Sequence, residues 1–196
     1  MPTEYRVLDL FVETSDEAVI DRLLDALARL GGPDADFVEE EHQTTPTQVM
    51  TRFGNESGDA AVTVWRDNVA QIRYLEITFP TEKRLAAAIA AIQGHFDIVR
   101  HQDVLDRISA AAPDATLADN VFYELAYSAP GQHAGGTARV LCENLASRSA
   151  SRRSGAATAA GILGWREFED PLRSALATEQ DSAVRDAMER ALQALA

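Results

Sequence analysis

The chain has one cysteine, Cys142. It can form no intramolecular disulfide and has no second thiol with which to build a zinc site. It also lacks an apolar run near the ~20 residues needed to cross a bilayer. The longest such run is the Ala-rich LAAAIAAI at 85–92. MPTEYRVLDL, at the start, has none of the basic, apolar and small-residue segments of a secretory signal. These absences predict a cytoplasmic protein with no membrane partner. Catalytic punctuation is missing too: there is no GxSxG, no HExxH, no P-loop and no GxGxxG after a strand. Lysine is almost absent, Lys83 being the single Lys among 18 basic residues.

Positive charge is scarce overall, and the formal net charge is -13. Residues 1–112 carry 20 acids against 10 bases, a net of -10, and residues 113–196 carry 11 against 8, a net of -3. An acidic surface repels phosphate backbones and anionic lipid, so neither nucleic acid nor membrane is an expected partner. A basic protein partner, or solubility alone, is compatible with it.

What is present divides at Pro113. EYRVLDLFVET alternates, with Arg6, Leu8, Leu10 and Val12 as the candidate core face. Thr14 and Glu17 have capping-box spacing ahead of a helix striped by Val19, Ile20, Leu23, Leu24, Leu27 and Leu30, which Gly31-Gly32-Pro33 stops. TQVMTRF, AAVTVW and VAQIRYLEITF, separated by Gly, Asn and Asp turn signals, predict an antiparallel meander, with FVEEEH at 37–42 as an extra strand. Thr81 can cap a second helix carrying Leu85, Ile89, Ile92 and Phe96, and FDIVRH reads as a last strand before a helix with Val104, Leu105 and Ile108. This order resembles a ferredoxin-like sandwich, on element order alone. The expected class is therefore α+β: a two-layer sandwich over 1–112, mostly antiparallel sheet with two helices, then an all-α region over 113–196.

After Pro113 alanine dominates, and helices are expected at 118–128, 137–148, 151–163, 169–178 and 182–195. RRSGAATAAGILG and VRDAMERALQALA lie 32 residues apart and share a zero, three, four, seven pattern: Ala156, Ala159, Ala160, Leu163 against Met188, Ala191, Leu192, Leu195. The preceding helices match as well, Leu141, Leu145 and Ala146 with Leu172, Leu176 and Ala177, and Asp170-Pro171 is an N-cap followed by an N1 proline. Asp170-Pro171-Leu172 with Leu176, and Val184-Arg185 with Ala187, Ala191 and Leu195, resemble the short HEAT-like repeat of phycobilisome-lyase-type proteins. The first copy departs from it in having Arg152 for the valine and Gly155, Gly161 and Gly164, which are expected to loosen its helix. An ordinary Ala-rich bundle is the competing reading.

Few residues carry chemistry. His95, Asp97, His101 and Asp103 are close in sequence, but their spacing does not converge on a metal, and none is expected. GQHAGG at 131–136 lacks the Lys and Ser/Thr of a phosphate loop, and Cys142, with His133 as its conceivable base, falls in the apolar run of a helix. No catalytic residue and no cofactor is assigned. The one local exception to the acidic surface is SRSASRRSG with the Trp that follows, which makes Arg148, Arg152, Arg153, Trp165 and Arg166 the candidate partner-binding residues. Against this, Trp165 could plug the gap between repeats while the arginines meet water.

The expected function is a non-enzymatic protein-protein interaction module, as the repeat resemblance implies. Two alternatives stand: an immunity protein or antitoxin that neutralises a basic toxin, and a small-molecule sensor or bilin-lyase-like enzyme.

Overall fold

The computed structural model describes residues 2–8, 15–32, 36–112, 115, 117, 120–129 and 135–196. The chain forms two compact units, Met1–Val99 and Arg100–Ala196. The expected boundary residue, Pro113, lies outside the described residues. The helix before it, expected in the first domain, belongs to the second unit, because its buried stripe packs on the helices that follow.

The first unit is a five-stranded antiparallel sheet with two helices. Its elements are β1 (Thr3–Leu8), α1 (Asp16–Ala28), β2 (Phe37–Thr44), β3 (Gln48–Asn55), β4 (Ala61–Asp67), β5 (Ile72–Thr78) and α2 (Glu82–Gln93). The strand order is β1-β5-β4-β3-β2. Short turns make each of β3 to β5 pair with its predecessor, and β1 closes on the free edge of β5, with Thr3 opposite Thr78 and Leu8 opposite Arg73. This is not the ferredoxin-like order. FDIVRH makes no strand: α2 ends at Gln93 and Arg100 already caps the next helix, so the six residues between them leave only Ile98 in an isolated bridge.

The helices form because their stripes have somewhere to go. Val19, Leu23 and Leu27 of α1 and Leu85, Ile89 and Ile92 of α2 are buried against Phe53, Val62, Val64, Leu75 and Ile77 on one face of the sheet. Thr81 caps α2 as expected, accepting from Arg84 N at 3.3 Å. The cap of α1 is Ser15, which accepts from Ala18 N; Thr14 lies outside the described residues, as do Leu10 and Val12. Asn55 and Asp67 tie the tight turns by accepting backbone N–H groups, Asp59 and Ala60 for the first, Val69 and Ala70 for the second. The Arg66 and Arg73 cations face each other across β4 and β5, and Asp16 of α1 bridges them at 2.7 and 2.8 Å. On the opposite sheet face Trp65 stacks on Tyr74 with ring centroids 5.9 Å apart.

FVEEEH, the extra strand of the sequence reading, is β2, the outermost strand. From Val38 to Thr44 every residue of it is exposed, and a register shift interrupts its pairing with β3 between Glu39 and Glu41.

The second unit contains α3 (His101–Ala110), α4 (Asn120–Ser128), α5 (Gly135–Leu145), α6 (Ala150–Leu163), a single 3₁₀ turn (Arg166–Phe168), α7 (Glu169–Leu176) and α8 (Ser182–Leu195). These helices pair in sequence: α3 with α4, α5 with α6, α7 with α8. The first members α3, α5 and α7 touch in succession, and so do the second members α4, α6 and α8, giving two layers of three helices. Alanine makes the second layer close. Ala156, Ala157, Ala159 and Ala160 of α6 are completely buried. Gly155 and Gly161, expected to loosen α6, are points of close approach instead. A Cβ on Gly155 would stand 2.3 Å from the Phe122 ring of α4, and one on Gly161 would stand 3.0 Å from Ala191 Cα of α8.

The two 32-residue-spaced segments agree in burial at two of the four compared positions and differ at Ala160, buried where Leu192 is half-buried, and at the last position. Met188 and Ala191 are buried in α8 as Ala156 and Ala159 are in α6, but Leu195 is buried and Leu163 half-exposed. Leu172 of α7 is fully buried, whereas Leu176 is half-buried. Leu172→Ala is therefore expected to cost about 2–5 kcal/mol, the range for a buried leucine whose cavity only partly collapses. Leu176→Ala is expected to cost clearly less. Chemical denaturation of the two variants checks this ordering.

Candidate binding site on the helical layers

The candidate residues sit at the start and just beyond the end of α6, and the structure sorts them into two groups. Arg152, read from the sequence as a partner contact, is 5% exposed and is a structural residue. Its Nε donates to Ala115 O at 3.1 Å and Nη2 to Ala111 O and Ala112 O at 3.1 and 2.7 Å. Its Nη1 donates to Asn144 Oδ1 at 3.1 Å, and Asn144 in turn donates to Val140 O at 2.8 Å. The guanidinium thus collects carbonyls where α3 ends, one of which, Ala112 O, also accepts from Ala115 N at 2.9 Å, and its charge complements the negative end of that helix. It stands in the first turn of α6, as Val184 stands in the first turn of α8.

Arg153 is also committed internally. It grips Glu179, in the loop between α7 and α8, through two hydrogen bonds of 2.5 and 2.9 Å, and donates to Ser147 O and Arg148 O, both at 2.9 Å. Glu179 further accepts from the backbone N–H groups of Gln180 and Asp181. The Arg153 hydrogen bond, aided by those backbone donors and opposed by burial, holds the Glu179 carboxyl down at about 2.

Trp165 is not a surface anchor. It is 5% exposed and stacks on Phe168, with ring centroids 5.8 Å apart and planes within 10°. Arg148 and Arg166 remain exposed, and neither side chain has a hydrogen-bond or ion-pair partner among the described residues.

Two cavities open beside α5, one on each side. The first, about 650 Å3, lies between α5 and α7 and is lined by Cys142, Leu145, Pro171, Ala175 and the Arg153–Glu179 pair among others. The second, about 590 Å3, lies between α3 and α5 and is lined by Ile108, Val140, Glu143, Arg148 and Arg152 among others. Ala146 and Ser147 line both. Sequence reasoning found the arginines of this face but missed its grooves, which arise from the spacing between successive first helices.

The other chemically suggestive residues are held within the fold. Burial pushes the Cys142 thiol above its usual range, with the Glu167 and Glu143 carboxylates adding to the effect, so it stays protonated and is a poor nucleophile. His101 has both ring nitrogens occupied, Nδ1 with Ser128 Oγ at 3.0 Å and Nε2 with Thr137 Oγ1 at 2.7 Å. Desolvation lowers its pKa, favouring the neutral ring. Residues 131–134, which include His133, lie outside the described residues. Among the described residues no group of three or more His, Cys, Asp or Glu gathers as a metal site, and no helix is long and apolar enough to cross a membrane.

The chain matches no protein-family model, no curated protein and no solved structure.

Because Glu179 is more acidic in the folded than in the unfolded chain, its ion pair stabilises fully above about pH 4.5 and is lost as pH falls toward about 2. Thermal unfolding followed across that window is expected to show a steeper acid loss in the native chain than in Glu179→Gln. The variant is expected to be less stable at neutral pH.

Proposed function

We propose that this chain is a non-enzymatic protein-binding module whose second unit is a short HEAT-like array, with the α3, α5 and α7 layer as its contact face. The observation that carries this reading is the pair of grooves flanking α5, of about 650 and 590 Å3, with Ala146 and Ser147 lining both. Stacked helix pairs leave such grooves at regular intervals, and extended partners use them. Two further observations support the absence of catalysis: the one thiol is held protonated, and His101 bonds only to hydroxyls. The acidic excess disfavours nucleic acid as the partner.

A second reading, neutralisation of a basic protein, draws on β2. Its exposed Glu39, Glu40 and Glu41 stand on an outer strand, where they would attract a cationic partner and repel a second copy of the same edge.

A photo-crosslinking residue at the exposed Ala146, another at exposed Glu39 of β2, and a control at exposed Glu189 of α8 separate these readings in an extract of the cells that make the protein. A protein adduct from Ala146 alone is the expected result. Adducts from Glu39 alone would move the function to the β2 edge. Equal labelling from all three positions would remove the array reading.

A further inference from the structure

We propose that the groove between α3 and α5 is a carboxylate-binding site that seats one acidic side chain of an extended, otherwise apolar segment of a partner protein. The inference rests on the protein-binding reading and gives that partner its chemistry.

The argument begins with Arg152. A buried cation ordinarily has a counter-ion, because its removal from water is costly. Arg152 is 5% exposed, yet among the described residues it has no carboxylate partner: its four hydrogen bonds go to three backbone carbonyls and one amide oxygen. A guanidinium carries five N–H donors, so one, on Nη1, is left over. Arg152 and the exposed, unpartnered Arg148 both line the groove of about 590 Å3. Two guanidinium groups in one groove are unusual for a chain of net charge -13. The exposed Arg148 guanidinium presents the planar fork that matches a carboxylate, and Arg152 adds its one remaining N–H.

The charge balance selects the ligand. Arg148 and Arg152 contribute +2 and Glu143, which lines the same groove, contributes -1, leaving +1. Glu143 is in addition paired with exposed Arg139 at 3.2 Å. A single carboxylate neutralises the remainder, whereas a doubly charged phosphate would be repelled by Glu143. The apolar part of the wall, Ile108, Val140 and Ala146, suits aliphatic neighbours of that acid. The neighbouring groove, which shares Ala146 and Ser147 as lining, favours an extended segment over a compact small molecule.

The test is a titration of the isotope-labelled protein, followed by NMR, with acetylated Ala/Leu hexapeptides carrying one central Glu, and with the same peptides carrying Gln. Hexanoate and inorganic phosphate are separate arms. The Glu peptides are expected to bind about tenfold tighter than the Gln peptides, the usual scale for one charge-assisted pair. Arg148→Ala, at an exposed position that the fold does not use, should reduce that preference to less than about twofold. Glu143→Gln should strengthen Glu-peptide binding about threefold by removing the opposing charge. Equal binding of Glu and Gln peptides, or a preference that survives Arg148→Ala, overturns the proposal. Hexanoate matching the peptides would assign the groove to a free small acid instead, and phosphate binding more tightly would exclude the carboxylate class. None of these failures bears on crosslinking from Ala146, so the protein-binding reading stands or falls separately.

Discussion

The second unit depends on how closely α6 can be approached from both sides. A helix in the middle of a layer must bury two flanks, and large side chains on both would hold its neighbours about 10 Å away. In α6 the flanks are Ala156, Ala157, Ala159 and Ala160, with Gly155 against Phe122 and Gly161 against Ala191. Small residues bring α4 and α8 in, and a wider separation there would change the spacing of every helix they carry. The grooves on the α3, α5 and α7 side are a consequence. Once the second layer is fixed, the first members of each pair stand where their loops place them. Nothing as small as the α6 face draws them together.

Close packing of this kind leaves helix ends to be satisfied by long side chains, and this is the work of Arg152 and Arg153. Both stand in the first turn of α6, one turned inward to the end of α3 and the other outward to Glu179 in the loop before α8. Between them the same two consecutive residues link the preceding and the following helix pair. Substitution of Arg152 by valine, the residue found 32 positions later at 184, removes four hydrogen bonds; Ala112 O keeps its bond from Ala115 N, while Ala111 O, Ala115 O and Asn144 Oδ1 lose the Arg152 donor. Arg152 is therefore a structural residue of this unit.

Much of this was legible in the sequence. Helix stripes, the Thr81 cap and the Asn and Asp turns all rest on local periodicity or short-range chemistry, which a single sequence displays. The failures have a common physical origin in long-range partnership. An arginine reads as a surface residue because burial of its charge is rare, and the carbonyls that receive Arg152 lie 37 to 41 residues away. Trp165 reads as a hot-spot anchor until Phe168 is seen beneath it. FDIVRH is β-rich, but strand formation requires a free edge and enough chain, and α2 and α3 leave it neither. Gly155 and Gly161 lower helix propensity by about 1 kcal/mol each, a local cost visible in the sequence, while the packing that repays it is visible only in three dimensions.

The electrostatics of the chain give the grooves their meaning. An overall charge of -13 sets a long-range field that screening confines to roughly 10 Å at ordinary salt. Selection of a ligand then falls to the groups in contact with it. At the α3–α5 groove those groups have the opposite sign to the protein as a whole, because Arg152 is fixed by the fold and Arg148 follows at the turn that leads into α6. A partner bearing one acid among apolar residues meets weak repulsion at a distance and attraction only at the correct site. Acidic groups that approach elsewhere gain no such contact, so the general charge sharpens discrimination while the local charge supplies the affinity. Glu143 keeps the site from being a generic anion sink, since each further negative charge on the ligand adds repulsion with no third cation in the groove lining to offset it, Arg139 meeting Glu143 at the exposed helix surface.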